Sequence, residues 1–285
     1  MSEKLDKNNI NNEVIDNKIV DSEFIGESSI VKSILGLLSF STIIPLNTHV
    51  SLKSMAKVLW LWPVLSGLIG LLGSIIVFIL IDIVHLNTIL TAAIVYSFFI
   101  WINGFHHLDG LIDFGDAIMA HGSPEKKISI MKDTNIGTGG ISLLFVVGLI
   151  TFAGFSSLLS INIDKIAILL ILTELCGKIS LLTTSLTSIS GNDGLGKPFI
   201  DEINIKKYII SIIISLAIGA IISKFLGISI FIPIFAILGG IFAGGLIAYI
   251  SKRNFKIANG DVLGTSNEIG RMCALIFILI VINLF

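Results

Sequence analysis

Three aspartates in the first half of the chain have a spacing that suits metal-ion chemistry. Asp109, Asp113 and Asp116 follow one another at helical intervals, which places their carboxylates within an arc of about 60° on one helix. Carboxylates this close repel one another unless a cation lies between them, and Mg²⁺ is usually held by a few carboxylates together with substrate phosphates. The spacing therefore predicts a Mg²⁺-binding helix face. The alternative is an ordinary solvated face beside a membrane.

A glycine-rich turn further along the chain is a candidate phosphate site. Gly137 and Thr138 stand where an apolar stretch begins, and free backbone N–H groups at a helix start favour an anion. Lys132 can supply a point charge to a phosphate, and Asp133 lies beside it. A plain capped turn entering the bilayer is the alternative, and on this pattern the two interpretations are about equal.

Two later polar segments add weaker signals. Residues 192–199 contain Gly194 and Gly196 next to an acid and a lysine. Asp261 and Glu268 are seven residues apart and share a face if their segment is helical. Neither segment alone indicates a particular chemistry.

Two charged residues lie inside an apolar run. Glu174 and Lys178 are four residues apart, so they can pair on one helix. Charges within a membrane are costly and usually functional, but a neutralising structural pair is an equally good interpretation here.

The composition is that of a membrane protein. Of 285 residues, 54% are hydrophobic and only 14% are charged, against about 25% charged in soluble domains. The net charge of -1 argues against a nucleic-acid binder, and two cysteines within apolar runs exclude a disulfide scaffold. Because the apolar runs are continuous, they predict helices that satisfy their own backbone groups in lipid.

The predicted fold is all-α, a polytopic integral membrane helical bundle with about seven transmembrane helices. An N-terminal apolar stretch at 30–46 is interpreted as an interfacial or re-entrant helix. Residues 1–28 are polar and predict a disordered tail, which leaves 29–285 as the membrane-embedded domain. The seven predicted spans are 58–81, 86–105, 138–160, 166–188, 208–225, 228–250 and 269–285.

The positive residues fall on alternate loops between these spans, as the positive-inside rule requires. The opposite loops hold only Lys165 and Lys224. All the polar segments described above lie on the lysine-rich side, so we expect the active face to be cytoplasmic and the protein to reside in the cell membrane. The twelve residues on that side are Lys53, Lys57, Lys126, Lys127, Lys132, Lys197, Lys206, Lys207, Lys252, Arg253, Lys256 and Arg271.

Four blocks of the sequence resemble one enzyme family. Residues 107–116 (HLDGLIDFGD) resemble the HLDGLADxxDG signature of the cobalamin synthase family, the adenosylcobinamide-GDP ribazoletransferases. Residues 130–138 (IMKDTNIGT) are similar to that family's IMKDSRIGT block, and 193–196 and 260–268 are similar to its EGLG and TGDTLGAxxE elements. The blocks occur in the family's order over about residues 33–285. One departure is Arg271, which stands where many members carry a second glutamate.

The resemblance implies a transferase that joins adenosylcobinamide-GDP to α-ribazole, or to α-ribazole 5′-phosphate, with Mg²⁺ and with release of GMP. It implies metal binding by Asp109, Asp113 and Asp116, and catalytic work by these three and Asp133. It also implies small-molecule substrates, a protein embedded in a lipid bilayer and no nucleic-acid partner, and it leaves a homo-oligomer open. The implied substrate-binding residues are His107, Lys132, Gly137, Thr138, Gly194, Gly196, Asp261 and Glu268.

Two other functions fit parts of the pattern. CDP-alcohol phosphotransferases also use an aspartate-rich helix at a membrane face, but their pattern requires Ala-Arg where this chain has Leu111 and Ile112. Secondary transporters place coupling acids near the bilayer midplane in repeated halves, whereas nearly all acids here lie in the predicted cytoplasmic segments. The three functions differ in the nucleotide that is released: a cobalamin synthase releases GMP, a CDP-alcohol phosphotransferase releases CMP, and a transporter releases neither.

Overall fold

The structure is a computed structural model that describes residues 28–161 and 168–284. No β-strand forms within these ranges, where a single isolated bridge joins Ser190 to Ala258. The predicted all-α class is therefore confirmed. In chain order the helices are α1 (Ile30–Ser41), α2 (Leu52–Lys57), α3 (Trp62–Phe78), α4 (Thr88–Ile102), α5 (His106–Met119), α6 (Pro124–Met131), α7 (Thr138–Leu159), α8 (Leu169–Thr187), α9 (Lys197–Glu202), α10 (Ile205–Leu226), α11 (Phe231–Asn254) and α12 (Gly260–Leu284).

Among the described residues, six helical segments are long and apolar enough to cross a membrane, and the bent pair α4 and α5 brings the number to seven if it counts as one span. The six are Leu59–Ile83, which contains α3, together with α7, α8, α10, α11 and α12. This number agrees with the predicted bundle. The start of the final span was wrong: the sequence placed it at residue 269, whereas α12 begins at Gly260, so Asp261 and Glu268 lie on the helix itself.

Helix α8 runs through the centre of the bundle, packed against α3, α11 and α12. Glycines on its neighbours allow this close approach, as is common in membrane helix packing. A Cβ atom at Gly70 of α3 would lie 2.5 Å from the backbone oxygen of Leu170. One at Gly244 of α11 would lie 2.4 Å from the backbone oxygen of Ser180. The most polar of the spans is thereby shielded from lipid.

A sharp bend between α4 and α5 determines where the aspartates lie. The two helices meet at 89°, because Gly104 and Phe105 both adopt left-handed backbone conformations, with φ of +64° and +62°, and end the helix. A left-handed non-glycine residue such as Phe105 is uncommon. The bend turns α5 across the end of the bundle, so its aspartates face the helix ends and loops at that membrane surface.

The N-terminal helix α1 has 12 residues, which makes it about 18 Å long. A hydrocarbon core is about 30 Å thick, so α1 is too short to cross it alone, in keeping with the predicted interfacial or re-entrant element. Its end is fixed to the bundle because Trp62 Nε1 donates a hydrogen bond of 3.0 Å to Ser41 Oγ. The predicted disordered tail lies, except for residue 28, outside the described residues.

Candidate active site

Helix α5 packs directly on the first turns of α12, and this contact brings two predicted site segments together. A Cβ atom at Gly110 would lie 2.8 Å from the Cα of Asp261, and one at Gly264 would lie 3.1 Å from the Cα of His107. Thr265 Oγ1 donates a 3.0 Å hydrogen bond to the backbone oxygen of Gly110. The close approach sets the carboxylates of α5 beside Asp261, a residue about 150 positions later in the chain.

Replacing Gly110 with alanine should disrupt this contact. The added Cβ would meet the backbone of Asp261 at 2.8 Å, so the two helices must separate, and misplacement of catalytic groups by about 1 Å can cost about 10²-fold in rate. We expect kcat/KM to fall by that order while the protein still inserts into membranes. The matched control is Gly245→Ala, since no atom lies within 4 Å of a Cβ there. Equal activity of both variants would contradict the prediction.

Asp113 is the most electrostatically perturbed of the predicted aspartates. Its partial burial, and then the carboxylates of Asp261, Asp109 and Asp116, raise the pKa of Asp113 to about 7. Both causes disfavour the charged carboxylate. The crowding therefore leaves a concentration of negative charge that a cation would relieve.

No three of the histidine, cysteine, aspartate and glutamate side chains converge into a finished metal site within the described ranges. This does not disagree with the predicted Mg²⁺ chemistry, because Mg²⁺ usually binds through one or two carboxylates plus substrate phosphates. Asp109 and Asp261 line the same cavity, and both carboxylates act on Asp113. The donor set thus fits a cation that binds together with a diphosphate.

The raised pKa of Asp113 predicts a pH dependence of metal activation. Because a proton competes with the cation for this carboxylate, the Mg²⁺ concentration for half-maximal activity should rise below pH 7, by about tenfold per pH unit. Above pH 7 the group is ionised and the dependence should vanish. Mg²⁺ titrations of activity between pH 6 and pH 8.5 measure this. A half-saturating concentration that is constant over that range would refute the assignment.

Asp116 has a different environment from the other two aspartates of α5. Its two carboxylate oxygens accept hydrogen bonds from the backbone N–H groups of Gly137, at 2.7 Å, and Gly140, at 2.8 Å. The start of α7 is therefore capped by the protein's own anion, as the capped-turn interpretation supposed. With Asp133 and Thr138, Asp116 lines a separate open pocket. Its role as a metal ligand stays a prediction.

Two cavities meet at Asp261. The first, of about 250 Å³, is lined among others by His107 and Asp109. The second, of about 280 Å³, is lined by Lys132, whose Nζ lies 3.2 Å from Asp193 Oδ1. The residues Leu195, Gly260 and Asp261 belong to the lining of both. Parts of three polar segments that the sequence placed on one membrane side thus line two adjoining spaces, with Asp261 between them.

The family model for cobalamin-5-phosphate synthase matches residues 33–279. The chain belongs to this family. It is 34% identical over 74% of its length to the adenosylcobinamide-GDP ribazoletransferase of Methanococcoides burtonii, covering 79% of that protein. It is 32% identical to the enzymes of the same name from Methanosarcina barkeri, over 86% of this chain and 90% of the relative, and Pyrococcus furiosus, over 85% and 97%. No solved structure matches the chain.

Membership in the cobalamin-5-phosphate synthase family bears out the resemblance noted in the four sequence blocks. It favours this family over the CDP-alcohol phosphotransferase and transporter interpretations.

Beneath the site lies a buried ionic cluster that the sequence indicated only in part. Arg271 of α12 binds Glu174 of α8 through two hydrogen bonds, one of them 3.1 Å from Nη2 to Oε2, and also binds Glu268 one turn away on its own helix. The sequence offered Lys178 as the partner of Glu174, whereas the ion pair that forms is with Arg271. The positive charge that Arg271 introduces, where many family members carry a glutamate, is thus neutralised by two carboxylates.

Lys178 instead reaches the start of α5. Its Nζ lies 3.1 Å from His107 Nε2 and 5.2 Å from the centre of the Trp62 ring. Burial and the neighbouring Lys178 hold the pKa of His107 well below its usual range. The other ring nitrogen of His107, Nδ1, lies 3.9 Å from Glu268 Oε1 and has no hydrogen-bond partner within the described residues.

The sequence did not single out the aromatic side of the first cavity. Phe40, Trp62 and Phe199 line it together with Asn103, and they come from segments separated by up to about 160 residues. No short-range spacing links them. The one available signal was the position of Asn103 just before the aspartate-rich block.

Proposed function

We propose that the chain is an adenosylcobinamide-GDP ribazoletransferase, which joins adenosylcobinamide-GDP to α-ribazole, or to its 5′-phosphate, and releases GMP. The observation that carries the proposal is the pair of adjoining cavities that share Asp261. A reaction between two nucleotide-like substrates requires two spaces that meet at the reacting phosphate. Family membership and the names of the relatives support the same reaction.

The residues around Asp261 have separate tasks in this proposal. Asp109, Asp113 and Asp261 would hold Mg²⁺, and Asp116 would support them by fixing α5 to the start of α7. When bound, the cation neutralises the diphosphate oxygens and steadies the leaving phosphate. A carboxylate of the same group would accept the proton that the attacking ribose hydroxyl loses.

Lys132 would bind a phosphate oxygen in the second cavity. Its present partner, Asp193, is exposed, and exposed ion pairs contribute at most about 1 kcal/mol. A substrate phosphate can therefore replace Asp193 at little cost. Gly194 lines the same cavity and leaves room for the approaching nucleotide, because no atom lies within 4 Å of a Cβ there, whereas Gly196 packs against the backbone of Gly260.

The active face would be cytoplasmic, in the cell membrane. The support is the distribution of lysine and arginine. Without Arg271, which is buried within α12, eleven lie on the side of the site against two on the other side, which follows the positive-inside rule. Labelling of a cysteine introduced at Lys256, in intact cells against permeabilised ones, tests the orientation. Labelling in intact cells would place the site outside.

The function is tested with full-length protein purified in detergent and incubated with adenosylcobinamide-GDP and α-ribazole, with and without Mg²⁺. We expect cobalamin and GMP in equal amounts, only when Mg²⁺ is present. A parallel reaction with α-ribazole 5′-phosphate identifies the preferred acceptor. Absence of both products from a folded, Mg²⁺-supplied protein would overturn the proposal, and CMP release from a CDP-alcohol would favour the phosphotransferase alternative.

A further inference from the structure

Part of the wall of the first cavity is aromatic, formed by Phe40, Trp62 and Phe199. The ring centres of Phe40 and Phe199 are 5.3 Å apart, and those of Trp62 and Phe199 are 4.9 Å apart. The polar atoms of this wall are satisfied internally, since Trp62 Nε1 donates to Ser41 Oγ and Ser41 donates to the Leu37 carbonyl. Such a surface favours a flat ring, because aromatic side chains bind bases through their faces and edges.

Two residues that line this cavity have a side-chain atom without a hydrogen-bond partner in the part of the chain that the structure describes: His107 at Nδ1 and Asn103 at Oδ1. The atom of Asn103 identifies the kind of group that can bind there. Asn103 lines the cavity and is 3% exposed. Its Nδ2 donates a 2.7 Å hydrogen bond to the Phe99 carbonyl, which fixes the orientation of the amide, because a flipped amide would set two oxygens together. Its Oδ1 has no hydrogen-bond partner in the part of the chain that the structure describes. A buried acceptor left unpaired is unfavourable, so a bound donor would stabilise it.

We propose that this aromatic cavity binds the guanine base of the GDP-bearing substrate, with Asn103 Oδ1 accepting a hydrogen bond from a guanine N–H. The inference rests on the proposed function. Three flat heterocycles take part in that reaction: guanine, the base of α-ribazole and the adenine of the adenosyl group. The base of α-ribazole has a single free nitrogen that accepts, so it cannot donate to Asn103, whereas guanine and adenine both carry N–H donors. Guanine is the base joined through its ribose to the diphosphate, which binds beside Asp109 and Asp261 in the same cavity, so the two requirements together select guanine.

The placement agrees with the rest of the site. Asp109 and Asp261 line the same cavity as Asn103, so a nucleotide whose base lies against the aromatic wall directs its phosphates toward the acids. The second cavity, with Lys132 and Asp193, is then left for the acceptor nucleoside. The reacting diphosphate lies between the two, at Asp261.

The decisive variant is Asn103→Leu, which keeps the side-chain volume and removes the acceptor. We expect the Kd for GMP, measured by calorimetry without Mg²⁺ or the second substrate, and the KM for adenosylcobinamide-GDP to rise about tenfold or more. The KM for α-ribazole should change less than about twofold, which also shows that the variant is folded. The matched control is Asn283→Leu, since Asn283 makes the same bond to the carbonyl four residues before it on an exposed part of α12.

Two results would overturn the proposal. One is an Asn103→Leu protein that binds GMP as the wild type does; the other is a rise in the KM for α-ribazole alone, which would assign the cavity to the acceptor. If the variant does not fold, photolabelling of the wild-type protein with 8-azido-GMP decides. Labelling of peptides containing Phe40 or Phe199 supports the proposal, and labelling around Lys132 instead refutes it. Because GMP binding is measured without turnover, a protein that binds GMP through Asn103 but forms no cobalamin would contradict the proposed function alone.

Discussion

Asp109→Asn and Asp113→Asn proteins are each expected to lose about 10³-fold or more in kcat/KM for cobalamin formation. Each substitution keeps the size of the side chain and removes a charge that would hold Mg²⁺. A bound metal ion stabilises a phosphoryl transition state by several kcal/mol, and every 1.36 kcal/mol corresponds to a tenfold change in rate. The measurement is GMP release by detergent-purified protein over a range of Mg²⁺ concentrations.

The control for these variants is Asp82→Asn. Asp82 is exposed in the turn that ends the first span, at the other end of that helix from the site. Its substitution should leave activity within about twofold. Because burial and the neighbouring acids both raise the pKa of Asp113 and so disfavour its charged form, its neutral replacement should not destabilise the fold. Full Mg²⁺-dependent activity of Asp109→Asn and Asp113→Asn would show that neither aspartate binds the cation.

Arg271→Met should cause the largest loss of stability. The substitution leaves Glu174 and Glu268 buried without the guanidinium that binds both, and breaking a buried ion pair by removing one partner costs about 3–5 kcal/mol. That is a large part of the total stability of a typical protein. Thermal unfolding in detergent, followed by circular dichroism, should show a midpoint well below that of the wild type.

A matched arginine and a compensated variant test the physical cause. Arg253→Met alters an exposed arginine that contacts Tyr249, so its midpoint should remain close to that of the wild type. Replacing Arg271 with methionine together with glutamine at Glu174 and Glu268 removes the uncompensated charges and should recover much of the loss. If the triple variant unfolds as early as Arg271→Met alone, lost packing is the cause and the electrostatic explanation is wrong.

The helical bundle could be predicted from the sequence because lipid restricts the secondary structures that a chain can form. Continuous apolar runs of about 20 residues can satisfy their backbone groups only as helices, and the predicted spans correspond to the helices observed. The error at the start of α12 has a physical reason. Asp261, Asn267 and Glu268 make this stretch polar. Asn267 and Glu268 are buried where α12 packs on other helices, and Asp261 lines the two cavities, so contact with protein or with the site replaces contact with lipid.

The site was predictable only where its members are close in sequence. The spacing of Asp109, Asp113 and Asp116 predicted that all three lie on one face of a helix. In the structure the three residues belong to the single helix α5. The hydrogen bonds of Asp116 to the start of α7 depend on how α5 and α7 pack. The pairing of Glu174 with Arg271 joins residues 97 positions apart. No local pattern encodes such contacts, because they follow from the 89° bend and from helix packing.

The central position of α8 has a consequence for how the protein enters its membrane. A lysine in the middle of a helix opposes insertion by about 2.5–3.5 kcal/mol, and α8 carries Lys178 together with Glu174. The arginine that pairs with Glu174 lies on α12 and is synthesised almost a hundred residues later. We therefore expect α8 to remain beside the translocon, in contact with α3. It should insert stably into the bilayer only after α12 has emerged from the ribosome.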